Sequence, residues 1–91
     1  MKLLNSGKIS YSSIMVSWEK SQAANFGAYR IFFDTITGVS ESSPLGGTVY
    51  WIDSTQFELS GLSPSTEYYI KVFVTSGTVS ASSNEIKVTT E

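Results

Sequence analysis

Any acid–base or nucleophilic chemistry in this chain would have to come from carboxylates, lysines and serines. The 91 residues contain no histidine and no cysteine. The side chain that titrates nearest neutrality, the commonest metal ligand and the thiolate nucleophile are therefore all missing. Asp34, Glu41, Asp53, Glu58, Glu67 and Glu85 are the main acids. They fall singly on turns and outward strand positions, whereas general acid–base work needs a poised group within reach of the proton it moves. Glu19 and Lys20 are adjacent and read as a charged, solvated loop entry. The serines have no GxSxG setting. No calcium-loop spacing or phosphate-cradling loop occurs, and Gly46-Gly47 reads as turn glycine. The chain is read as non-catalytic, with no cofactor and no metal.

Binding to nucleic acid is equally unsupported. The net charge is −2, and Lys2, Lys8, Lys20, Arg30, Lys71 and Lys87 are scattered rather than gathered into a basic patch. No apolar run approaches the length needed to span a membrane. The opening MKLLNSGKIS has only two leucines before polar residues resume, so it lacks the apolar region of a signal peptide. Met1 reads as a domain start. The missing cysteines leave the compartment open. At this length the chain forms one domain over residues 1–91, burying roughly 60–65% of its unfolded surface.

The elements are strands. No helical stripe is present, and Ser, Thr, Val, Ile, Tyr and Phe dominate. In SIMVSWE, Ile14, Val16 and Trp18 share a face. In AYRIFFD, Tyr29, Ile31 and Phe33 share one, and Arg30, Phe32 and Asp34 share the other. Phe57 and Leu59 point inward from QFELSG. In EYYIKVFVT, Tyr68, Ile70, Val72 and Val74 align, and in NEIKVTT Ile86 and Val88 do. KIS, near residues 7–11, and TVYWID, 48–53, complete seven strands. The four central residues of TVYWID are all apolar, so alternation does not choose its buried face. Gly-, Ser-, Asn- and Pro-rich pieces at 20–27, 35–47, 53–55, 60–66 and 76–83 read as turns. Seven short strands with regular turn signals describe a β-sandwich.

One segment pins the sandwich. In GLSPSTEYYIKV, Leu62 plugs the core, Pro64 stiffens the turn, and Tyr68 opens a strand. A tyrosine there packs its ring inward while its hydroxyl bonds upstream backbone. With IMVSW, AYRIFF and the closing NEIKVTT, this segment resembles the fibronectin type III family over most of residues 9–90. Trp18 on the second strand, and Ile70 where antibody domains carry cysteine, favour that branch. The sequence departs from the family in lacking the usual N-terminal proline, in a short first connection, and in a long Gly/Ser-rich link between the third and fourth strands. No Arg-Gly-Asp occurs, so the family's integrin contact is not carried over. No Asn-x-Ser/Thr site occurs at Asn5, Asn25 or Asn84 either.

The resemblance implies an all-β, immunoglobulin-like sandwich of seven antiparallel strands in two sheets, A-B-E and C′-C-F-G. Its structural residues are Trp18, Tyr29, Leu62, Pro64, Tyr68 and Ile70, joined by Ile31, Leu59 and Val72. Trp18 is read as core. If Tyr68 faces in, Tyr69 faces out with Lys71 and Phe73, beside Arg30 and Phe32 of the neighbouring strand. Phe32, Tyr69, Phe73, Arg30 and Lys71, with Trp51 or Tyr50 alongside, form a candidate binding face. Such a patch has two readings: cross-strand packing or a partner site. Cover from loop 35–47 favours the first, and bare coplanar rings favour the second. The B–C and F–G loops read as plain connectors, with Phe26 their one aromatic.

The resemblance further implies a module of a larger, extracellular or cell-surface protein, with its termini at opposite poles. The expected role is a structural spacer positioning adjacent domains. The alternative is a protein- or glycan-binding module using the aromatic face. The isolated chain is expected to be a monomer, without nucleic acid and without membrane insertion.

Overall fold

Alternating β-branched and aromatic residues form seven strands in the computed structural model, which describes residues 8–22, 25–77 and 79–91. These are β1 (Ile14–Ser17), β2 (Phe26–Asp34), β3 (Leu45–Val49), β4 (Gln56–Leu59), β5 (Glu67–Ser76), β6 (Val79–Ser82) and β7 (Ile86–Thr89). All pairings are antiparallel. One sheet is β1-β4; the other runs β3-β2-β5-β6, with β7 also on β5. The second is the C′-C-F-G sheet expected from the sequence, and the first is the B-E part of the expected A-B-E sheet.

Three elements differ from the sequence reading. The first strand is reduced, among the described residues, to one bridge between Ile9 and Ile14. The remainder of the expected strand, and with it the direction of the N-terminus, lies outside the described residues. The fourth strand occupies Leu45–Val49 rather than 48–53. It stops there because the Tyr29 hydroxyl donates to the Ile52 carbonyl at 2.8 Å, pulling the chain out of the ladder. The last strand is split, so residues 79–82, expected as turn, pair with β5. At the break Ser83 N–H donates to the Val72 carbonyl at 2.8 Å, and Val72 N–H donates to Ser83 Oγ at 3.0 Å. A side-chain oxygen thus replaces a backbone acceptor where the strand kinks.

The core follows from strand phase. Ile14, Val16 and Trp18 from the first sheet meet Tyr29, Ile31, Tyr68, Ile70, Val72 and Val74 from the second, closed by Leu59, Leu62 and Val88. Trp18 and Tyr29 rings lie 5.1 Å apart. The Trp18 indole N–H is buried without a hydrogen-bond partner. The corner forms as expected: Ser63 N–H donates to the Tyr68 hydroxyl at 2.8 Å. Pro64 is exposed, so its contribution is to the turn and not to the core.

Gly46 and Gly47 are not turn residues but lie inside β3. A Cβ on Gly47 would meet the Phe57 ring at 2.2 Å, and one on Gly46 would meet Leu59 at 2.2 Å. The missing side chains let β3 approach β4 across the sandwich.

Candidate functional site

The register puts the outer-face residues of β2 and β5 where alternation predicts. Arg30 lies opposite Phe73, Phe32 opposite Lys71 and Asp34 opposite Tyr69. Phe32 and Phe73 meet edge to face at 5.4 Å and 88°, and the Lys71 ammonium sits 6.0 Å from the Phe73 centroid. Tyr69 donates its hydroxyl proton to Glu67 at 3.1 Å. That bond holds the phenol above its usual range. Glu67 also pairs with Lys87 at 3.7 Å.

This face is covered in part. Residues 35–44, between β2 and β3, fold back over it as a strap. The strap is fixed by Glu85, which stands on the outer side just before β7. Glu85 accepts from the Thr37 hydroxyl at 2.7 Å, the Gly38 amide at 2.9 Å and the Val39 amide at 2.8 Å. Gly38 has φ +94°, a conformation that favours glycine, and this lets two successive amides converge on one oxygen. Further along, Ser80 donates to Glu41 at 3.2 Å. Beneath the strap Phe32 is only 5% exposed, and Val39 itself only 2%. Of the two readings left open for Phe32, this cover favours cross-strand packing: the loop supplies an apolar lid, and Glu85 satisfies the amides that the turn leaves unpaired. Tyr69, Lys71 and Phe73 are half-buried, and Arg30 is exposed.

Trp51 does not join this face. It follows β3 in a turn, accepts from Ser54 N–H at 3.1 Å and is 71% exposed. Among the described residues it packs against no other ring. Nearby, Lys20 pairs with Asp53 at 2.7 Å, raising the lysine pKa through that hydrogen bond. Positions 23, 24 and 78, in the B–C and F–G loops, lie outside the described residues.

Sequence reasoning missed Glu85 and Val39 as site residues. Glu85 looked like one more dispersed carboxylate. The three donors that organise it come from residues 37–39, a separation no local pattern spans. Its pKa is lowered from 4.5, first by the Thr37 hydroxyl bond and then by the Val39 and Gly38 amides, against an upward push from desolvation. It is an anchored anion, not a free base. Among the described residues no group of three acidic side chains is placed to hold a metal, and no helix is long and apolar enough to cross a membrane.

Two antiparallel sheets without a disulfide, a tyrosine corner and a tryptophan on the second conventional strand define the class: an immunoglobulin-like β-sandwich module. The family model for the Fibronectin type III domain matches residues 3–89, and the chain belongs to that family. The fn3 domain of human contactin 1 superposes with a TM-score of 0.80 at 23% identity, covering 100% of this chain and 77% of the other. The FN1–FN3 domains of chicken CNTN1 give 0.80 at 22% identity, over 94% of this chain but 30% of that one, so this chain spans about a third of that structure. Titin domains give 0.75 at 16% identity, over 93% of this chain and 29% of the other. At these identities the likeness is one of fold. No curated protein sequence matches the chain.

Proposed function

We propose that the chain, as one module over residues 1–91, is a non-catalytic spacer in a larger extracellular or cell-surface protein, where it holds neighbouring domains apart and in orientation. The observation that carries this reading is the strap. The chain's own residues 37–39 are latched to Glu85 on the outer face, and Phe32 of that face is buried with Val39. A surface kept for a partner stays open, whereas a surface kept for rigidity is covered. The extracellular setting rests on the family resemblance. The module is 39 Å along its longest axis.

A second reading keeps the outer face as a protein- or glycan-binding site. Arg30, Tyr69, Lys71 and Phe73 remain partly accessible beside the strap, and aromatic and Arg side chains are common interface anchors. One experiment separates the two readings. A variant carrying Arg30→Ser, Tyr69→Ser and Lys71→Ser leaves the buried Phe32 intact and is compared with wild type in glycan-array and pull-down binding. Under the spacer reading neither captures a partner. A partner held by wild type and lost by a folded variant refutes it.

A further inference from the structure

We draw no further inference here: the strongest candidate, the exposed Tyr50–Trp51 turn after β3, tied down by the Tyr29 hydroxyl on Ile52 and by the Lys20–Asp53 pair, carries nothing because nothing in the structure shows what covers it.

Discussion

Replacing Glu85 with alanine removes a side chain that holds residues 37–39 against the sheet in three hydrogen bonds. A hydrogen bond to a charged group contributes about 1.5–3 kcal/mol when shielded. These bonds are largely at the surface, and two share one oxygen, so they do not sum. A local cost of about 2 kcal/mol is the reasonable figure. Part of the strap's hold remains in the burial of Val39 and Phe32, so the sheet stays folded while the strap opens more often. Amide exchange reads this directly. Protection at Gly38 and Val39 should fall about thirtyfold, since each 1.4 kcal/mol is a factor of ten, while Ile31 and Val72 keep theirs. The pH dependence follows from the same group. The folded pKa of Glu85 is depressed below 4.5, so its stabilisation is complete above that value and is lost as pH falls through the lower, folded one. Glu85→Gln, with no charge to lose, should flatten this dependence. Unchanged exchange at Gly38 and Val39 in a folded Glu85→Ala protein would refute the latch.

Two further outcomes test the scaffold. Tyr68→Phe leaves the Ser63 amide without its acceptor and should cost about 1–3 kcal/mol in urea unfolding, whereas Tyr69→Phe, which loses only an exposed bond to Glu67, should leave the midpoint in place; equal effects would mean the strand phase is inverted. Gly47→Ala drives a methyl into the Phe57 ring and should cost about 1–3 kcal/mol by overpacking, with recovery in a Phe57→Leu background, and an unaltered melting temperature would show that β3 does not need its close approach to β4.

Much of this fold was legible because its signals are local. In β5 strict alternation fixed which of the two adjacent tyrosines enters the core, and the Leu-Ser-Pro turn just before it fixed the corner. In β2 the same alternation placed Arg30 and Phe32 outside and Tyr29 and Ile31 inside. The misreadings share one physical cause: the deciding contact lay far away in sequence. Residues 49–52 are uniformly apolar, so alternation offered no boundary, and the strand ends where Tyr29 captures Ile52. Gly46 and Gly47 look like punctuation until Phe57 and Leu59 are seen across the sandwich. The Ser- and Ala-rich residues 79–82 have no apolar rhythm, and they become a strand because β5 offers them a ladder. Phe32 was assigned to the outer face, with its cover left open. Alternation says which side a residue is on and nothing about what later folds over it.

The last residues carry a mechanical consequence. Thr90 is buried at the corner, where its hydroxyl donates to the Ser63 carbonyl at 2.7 Å and accepts from the Thr66 amide at 3.0 Å. Ser65 N–H donates to the Glu91 carbonyl, and Glu91 N–H to that of Ser10, both at 3.1 Å. Tension entering the molecule at Glu91 therefore meets a knot before it meets a ladder. These bonds must part before β7 can unzip from β5, so the corner that sets the strand phase also shields the sheet from being peeled at its C-terminal end.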